Sequence, residues 1–407
     1  MIKKFPLLFV LLYCYNVFSQ NKPEIFLDSV NKYLAISDTI RLSEKKIKYL
    51  NKALSFAKNV EKDSLLINIY SDLASQNISL DNKKGFKDAN DSLLKIYQNK
   101  NDSTALGFYY QNKGLYFENN ASIDSAYYYY NKTRVIAKSS NNKILKKIYD
   151  RLLDIYLSEK DYLGTEELAI EIINNKGLKN DYVLLSQAYV CLGKVSSKSH
   201  DFKNALKYNK KALEIIEKIK DDEVRKEQKI YNTNDFGAVY ADQKNYEKAL
   251  YYALKAIEID SDLKNNNLGL YGTLIVNKGV CEIKTGRKKE AIESFNEALK
   301  IGKKLKSNFI KTVVFLKLAK LYKKENNLNK AKKYIDKALI LARKINFRKL
   351  EALKLSAEIY SGEKSISFYK EYIVLQEKIE AAAQKRKNKF ARVRFETQKK
   401  EEENTFL

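Results

Sequence analysis

The sequence predicts an all-α solenoid of stacked helix pairs that ends in a charged C-terminal helix. The first observation is a pattern that returns along the chain: a small residue, an aromatic residue, a polar turn and an alanine, clearest at Gly237, Tyr240 and Ala249. The second is composition, because 407 residues include only two prolines and thirteen glycines, so little interrupts helices. One helix pair cannot bury its own apolar face, and the pairs must therefore stack.

One small residue in each second helix marks the repeat. Consecutive markers lie 37 to 44 residues apart. A small side chain on each helix of a pair lets the two backbones approach closely, and we assign this role to Gly237 with Ala249 and to Gly279 with Ala291. The aromatic residues then fill the space towards the next pair. The markers are Ala89, Ala126, Thr165, Ala205, Ala249, Ala291 and Ala331, and the other structural positions are Gly114, Gly193, Tyr240 and Tyr322.

The repeats set the predicted organisation of the chain. Arg134 departs from the pattern, because the end of a second helix usually carries an apolar residue there. The last segment is rich in charge and has only a weak apolar stripe through Phe390, Val393 and Phe395, so we interpret it as a connector. The predicted segments are a signal peptide (1–19), N-terminal capping helices (20–60), repeats (61–345), a C-terminal repeat or cap (346–378) and a charged helical connector (379–407).

The first nineteen residues have the pattern of a secretory signal peptide. Lys3 and Lys4 form a basic start, an apolar run covers residues 5–18, and Val17 and Ser19 place small residues at the cleavage site. The run is shorter than the about 20 residues that a bilayer-spanning helix needs. We therefore expect an exported protein, periplasmic or secreted. The alternative is an uncleaved anchor or a buried first helix.

The chain is strongly basic, with a formal net charge of +26 that becomes +24 when residues 1–19 are removed. A net positive charge of this size favours binding to nucleic acid, to an anionic membrane surface or to an acidic partner. We favour a simpler explanation, in which lysines coat solvated helix faces, and we expect no nucleic-acid partner. The alternative is a basic nucleic-acid-binding protein that uses the Lys/Arg cluster at residues 385–400 and whose affinity falls steeply with salt.

Residues for catalysis, cofactor binding or metal binding are scarce. His200, the single histidine, lies in a predicted turn where a polar residue is expected anyway. The run from Gly193 to Ser196 lacks the earlier glycine and the adjacent hydroxyl of a phosphate-binding loop. Cys191 and Cys281 are 90 residues apart, unlike the close pairs of a zinc site. The sequence therefore predicts a protein that is not an enzyme and has no cofactor and no metal site.

These motifs resemble tetratricopeptide repeats over about residues 40–375. The period exceeds the about 34 residues of the simplest repeat and is similar to the extended repeats of kinesin light chains and of bacterial peptide sensors of the Rap and PlcR types. The resemblance implies a right-handed superhelix whose concave groove binds a protein or peptide. It does not extend to the Lys/Asn clamp of chaperone-binding repeats, whose matching positions hold Gln111, Val190, Val276 and Leu316.

In the extended families, an asparagine in the first helix of successive repeats faces the groove and holds the backbone of a bound peptide. Asn112, Asn234 and Asn277 lie at or within one residue of that place, the first and last in identical Asn-Lys-Gly triplets. A primary amide suits this task, because it donates to a peptide carbonyl and accepts from a peptide amide. Polar residues that only solvate the inner surface would show the same pattern. The same face would include Lys194, Lys320 and Tyr231.

The combination of a signal peptide, a repeat array and the terminal segment 388–397 also resembles exported sensor regions. In such proteins a transmembrane helix follows, and then a histidine kinase or a helix-turn-helix module. One alternative is therefore the input region of a truncated, membrane-anchored signal-transduction protein, which would associate with a membrane only through a missing C-terminal segment. The leading hypothesis is a non-catalytic scaffold that binds a partner segment in its groove.

Overall fold

The computed structural model describes residues 24–40, 42–60, 62–140, 142–343 and 346–405. These residues form helices joined by short turns, with no strand among them. The predicted all-α fold is confirmed. The predicted signal peptide, residues 1–19, lies outside the described part of the chain.

The helices follow one another with only a few residues between them. In chain order they are α1 (24–38), α2 (Glu44–Ala57), α3 (Asp63–Ser79), α4 (Lys83–Lys100), α5 (Ser103–Asn119), α6 (Ile123–Ser140), α7 (Asn142–Ser158), α8 (Tyr162–Asn174), α9 (Tyr182–Lys198), α10 (Phe202–Ile216), α11 (Asp222–Asp242), α12 (Tyr246–Glu258), α13 (Leu263–Asn266), α14 (Leu268–Lys284), α15 (Lys288–Lys304), α16 (Asn308–Lys324), α17 (Leu328–Ala342), α18 (Asn346–Ile359) and α19 (Gly362–Thr405).

Most consecutive helices contact each other, as expected for helices joined by short turns. The most extensive contacts join the two helices of one predicted repeat. These pairs are α3 with α4, α5 with α6, α9 with α10, α11 with α12, α14 with α15, and α16 with α17.

The turns inside the pairs explain why one helix stops and the next begins. Lys244 adopts a left-handed backbone with φ of 61°, and the side chain of Asn245 then caps α12 by accepting a hydrogen bond from the backbone N–H of Lys248. Asn326, with φ of 58°, and Asn327 act in the same way before α17. Such residues satisfy backbone groups that a helix end leaves unpaired. A polar turn of this kind therefore closes one helix and starts the next.

The small residues lie where two helices approach closely. A Cβ atom on Gly237 would stand 3.3 Å from the carbonyl oxygen of Ala249. A Cβ atom on Gly279 would stand 2.8 Å from the ring of Phe295, one turn beyond the predicted partner Ala291. The seven marker residues are all buried. Gly114, Gly193, Tyr240 and Tyr322 pack on Tyr130, Asn209, Tyr252 and Tyr334, respectively.

The chain divides into two compact units. The first contains the described residues up to Ile155 together with residues 389–405, and Leu50 and Ile69 are buried in its core. The second contains residues 156–388, and Phe295 and Val314 are buried in its core. Helix α19 continues without a break through position 379, the predicted start of the connector.

Residues 389–405, the end of α19, pack against α6 within the first unit. The ring of Phe390 is fully buried and stacks on Tyr127, with 4.0 Å between the ring centroids. The guanidinium of Arg134 lies 3.2 Å from the carboxylate of Glu401. The charge at this normally apolar repeat position therefore has a partner, supplied from the far end of the chain.

The buried face of this segment differs in part from the predicted stripe. Phe390, Val393 and Thr397 are buried, at the spacing that places side chains on one face of a helix. Phe395 is 68% exposed, so its place in the predicted stripe was wrong. Its position is two residues from both Val393 and Thr397, which turns its side chain away from the contact face.

Candidate functional site

The candidate site is the surface that α9, α11, α14, α16 and α18 present in the second unit, which we call the first-helix face. These are the first helices of consecutive pairs, and α9 contacts α11, α14 contacts α16, and α16 contacts α18. Five of the six predicted partner-binding residues lie on these helices. They are Lys194 on α9, Tyr231 and Asn234 on α11, Asn277 on α14 and Lys320 on α16.

Two of the predicted asparagines meet across neighbouring helices. The side-chain amide of Asn277 donates a hydrogen bond of 2.8 Å to the side-chain oxygen of Asn234. Both side chains are half-buried. This contact is the one side-chain hydrogen bond that either residue makes within the described chain. The amide group of Asn234 is thus left as a donor and the oxygen of Asn277 as an acceptor.

An ion pair lies next to the two asparagines. The ammonium of Lys194 is 3.3 Å from the carboxylate of Asp235, the residue after Asn234. Burial raises the pKa of Asp235 above its usual range, although the ion pair with Lys194 opposes that shift. The pair links α9 to α11 directly beside Asn234.

The other end of the face carries a basic cluster around one carboxylate. Glu351 accepts hydrogen bonds of 2.9 Å from both Lys320 and Arg348. Burial lowers the pKa of Lys317, and the nearby cations Lys320, Arg348 and Lys284 lower it further, while Glu351 opposes them. Lys317, Lys320 and Arg348 therefore act on one carboxylate, that of Glu351, and the cluster has an excess of positive charge that favours an acidic ligand.

Tyr231 is the one aromatic residue among the six predicted partner-binding residues. It lies one turn before Asn234 on α11, and its side chain is 43% exposed. Burial of part of the ring, and then the nearby carboxylate of Glu227, raise the pKa of its hydroxyl. A neutral phenol beside the asparagine pair offers an apolar ring and a hydrogen-bonding tip to a ligand.

Asn112 differs from the other two asparagines. Its side chain is only 1% exposed in the first unit, and its amide nitrogen has no hydrogen-bond partner among the described residues. It therefore offers no accessible amide to a ligand, although it precedes Gly114 just as Asn277 precedes Gly279. The shared Asn-Lys-Gly sequence does not determine whether the asparagine is exposed, because neighbouring helices can cover one copy and not the other.

Sequence reasoning missed Asp235, Arg348 and Glu351. The carboxylates were missed because only amides and cations on the first helices were considered as ligand contacts. A usable signal was present for Asp235, since it directly follows the predicted site residue Asn234. Nothing local distinguishes Glu351 from the many exposed acids of the chain.

The histidine and the two cysteines occupy a turn and the protein interior, respectively. His200 occupies a left-handed turn position with φ of 61°, like Lys244. Cys191 and Cys281 are buried and are not joined by a disulfide, and burial raises the pKa of Cys281 to about 11. Over the described ranges, no three His, Cys, Asp or Glu side chains are grouped so that they could hold a metal ion. Nor does any described helix have the length and apolar character to cross a membrane.

Comparison with known families identifies the repeats. A tetratricopeptide repeat model matches residues 229–304, which include the asparagine pair, and a second such model matches residues 314–344. The fold is that of a tetratricopeptide-repeat protein. No curated protein sequence matches this chain.

Solved structures share this fold at low sequence identity. The apo form of the quorum sensor NprR from B. thuringiensis is 16% identical with a TM-score of 0.61, and the match covers 89% of this chain and 99% of that one. A Rap protein complexed with competence and sporulation factor is 16% identical with a TM-score of 0.59, covering 88% and 99%. NprR in complex with its cognate peptide NprX is 16% identical with a TM-score of 0.53, covering 88% and 98%.

Proposed function

We propose that this tetratricopeptide-repeat protein is a non-catalytic scaffold that binds an extended protein or peptide segment on the first-helix face of its second unit. The observation that carries the proposal is the hydrogen bond between Asn277 and Asn234, which leaves one donor and one acceptor side by side. A peptide bond needs that combination, because its carbonyl accepts and its N–H donates.

The surroundings of the pair favour a ligand that is bound without much rearrangement. Asp235 is anchored by Lys194 on one side, and Asn234 is anchored by Asn277 on the other. Side chains that are already fixed lose little conformational entropy when a ligand arrives. The first-helix face is therefore preorganised around the two amides.

The charge distribution indicates the chemistry of the bound segment. The basic cluster around Glu351 lies on the same face, on α16 and α18. A segment that places an acidic side chain there, and its backbone at the asparagine pair, would satisfy both regions. Two of the similar structures are complexes, one of NprR with the peptide NprX and one of a Rap protein with competence and sporulation factor, and their fold supports a peptide as the class of ligand.

Binding can be tested with a peptide array followed by isothermal titration of the best binder. Replacing Asn234 or Asn277 by Ala should weaken binding about two- to tenfold, the value of one hydrogen bond. Asn296→Ala is the matched control, because Asn296 is an exposed asparagine on the second helix α15. Equal affinity of all three variants and the wild type would remove the asparagine pair from the site.

We also propose that the protein is exported after cleavage near Ser19, and the basic and apolar pattern of residues 1–19 supports this. N-terminal sequencing of the protein from a periplasmic or culture fraction should begin at Gln20. A full-length protein confined to the cytoplasm would contradict export. The alternative of a membrane-anchored sensor predicts an open reading frame that continues beyond codon 407 into a transmembrane segment.

Nucleic-acid binding through residues 385–400 is less favoured than peptide binding. Arg386 is paired with Glu159 at 2.5 Å, and Lys389 is paired with Asp124 at 3.4 Å. These ion pairs reduce the positive charge available to a phosphate backbone. Tight DNA binding that weakens steeply with salt would overturn this preference.

A further inference from the structure

The first unit contains a cavity that the peptide-binding proposal does not use. It lies between α5, α6 and the end of α19, and its volume is about 280 Å³. Leu106, Val135, Ile136 and Val393 give it largely apolar walls. The volume is just below the roughly 300–1,000 Å³ typical of small-molecule sites.

Two lysines line this apolar cavity without a carboxylate partner. Neither Lys132 nor Lys400 takes part in an ion pair within the described part of the chain. The ammonium of Lys132 lies 5.0 Å from the ring centroid of Tyr110 and 4.7 Å from that of Tyr128. The one acid in the lining, Glu396, is already 3.3 Å from Arg392.

The charge on Lys132 persists at neutral pH. Burial alone would lower the pKa of Lys132, but its interaction with Tyr128 and the other adjacent tyrosines raises the pKa above the usual lysine value. A partly buried cation without an anion beside it gains most from a ligand that supplies one. The cavity therefore combines apolar walls with unmatched positive charge.

We propose that this cavity binds a small amphipathic carboxylate, with the anionic group at Lys132 and Lys400 and the aliphatic or aromatic body against the apolar walls. The site is independent of the first-helix face, because all its residues belong to the first unit. Its ligand is a small molecule rather than a peptide.

Ligand binding at this site is coupled to the position of the C-terminal segment. Val393, Thr397 and Lys400 form one side of the cavity, and they belong to the stretch that Phe390 anchors on Tyr127. A ligand that contacts both sides binds only when the segment is docked, so it stabilises the docked state by mass action. A small anion in the cavity therefore shifts residues 389–405 further towards the docked state.

The test uses the full mature chain with octanoate and 3-phenylpropionate as probes and 1-octanol as the neutral comparison. Isothermal titration should show one saturable site for a carboxylate probe. Limited trypsin digestion should show slower cleavage within residues 389–405 when that probe is bound. If neither carboxylate binds, or if 1-octanol binds as tightly as octanoate, the proposal is overturned.

Lysine variants distinguish the effect of removing a positive charge from the effect of unfolding the protein. Lys132→Met and Lys400→Met should each weaken carboxylate binding at least threefold and leave 1-octanol binding unchanged. Lys87→Met, at an exposed lysine of the same unit, is the matched control. Lys400 is exposed, so its replacement leaves the fold intact. Unchanged octanoate affinity in the Lys400 and Lys132 variants would refute the assigned roles.

Discussion

Replacing Phe390 by Ala should release the C-terminal segment from the first unit while the repeats stay folded. Phe390 is fully buried and stacks on Tyr127, and its loss should cost about 3–5 kcal/mol, as for other buried phenylalanines. The ion pair between Lys138 and Glu401 cannot replace the packing energy of Phe390. Both of its side chains are partly exposed, and such pairs contribute about 1 kcal/mol or less. The docking equilibrium should therefore shift by a factor of about one hundred or more.

Limited proteolysis measures this shift directly. Residues 389–405 contain several Lys and Arg residues, so trypsin should cut there much faster in Phe390→Ala than in the wild type. Phe395→Ala is the matched control on the same helix, because Phe395 is 68% exposed and should cleave as the wild type does. Circular dichroism should show that most helical signal remains. Identical cleavage rates for the two variants would refute the claim that Phe390 holds the segment.

Three further predictions concern the second unit. Ala249→Leu should lower the free energy of unfolding by about 1–3 kcal/mol, because Gly237 already approaches Ala249 closely, and an unchanged denaturation midpoint would contradict this. Burial would raise the pKa of Glu351, but Lys320 and the neighbouring cations lower it below the usual value. The ionised Glu351 therefore contributes its full stabilisation when the pH is above its pKa in the unfolded chain, about 4.3. This contribution is lost as the pH falls through its lower pKa in the folded protein. Urea titrations at neutral and acidic pH should show that Glu351→Gln loses less stability on acidification than the wild type. Cys281, whose pKa is raised to about 11, should react with a thiol reagent only after unfolding, and rapid labelling of the native protein would disprove its burial.

The helical pairs were predictable because their determinants are local. A small residue such as Ala249 recurs at a fixed place, and Asn245 and Asn327 cap the helices that follow them. Each feature acts within one pair, so a single sequence reveals it. Phe295 shows the limit of this reasoning. Its ring is the side chain nearest to Gly279, one helical turn beyond the predicted partner Ala291.

The docking of the C-terminal segment was not predictable in the same way. Phe390 and Tyr127 are 263 residues apart, and no repeat pattern relates two positions that far apart. A signal existed in hindsight, since Arg134 broke the apolar pattern at the place where Glu401 now pairs with it. For the candidate site, the sequence predicted Asn234 and Asn277 as separate residues, and only the structure brings their amides into contact.

The left-handed turn positions have a practical consequence. His200 and Lys244 adopt positive φ angles that glycine adopts without strain, whereas a histidine or lysine carries about 1 kcal/mol of strain there. Stability in repeat proteins is roughly the sum of contributions from each repeat and its neighbours. Glycine substitutions at these sites would therefore accumulate into a more heat-resistant variant, in which neither the asparagine pair nor the cavity had been altered.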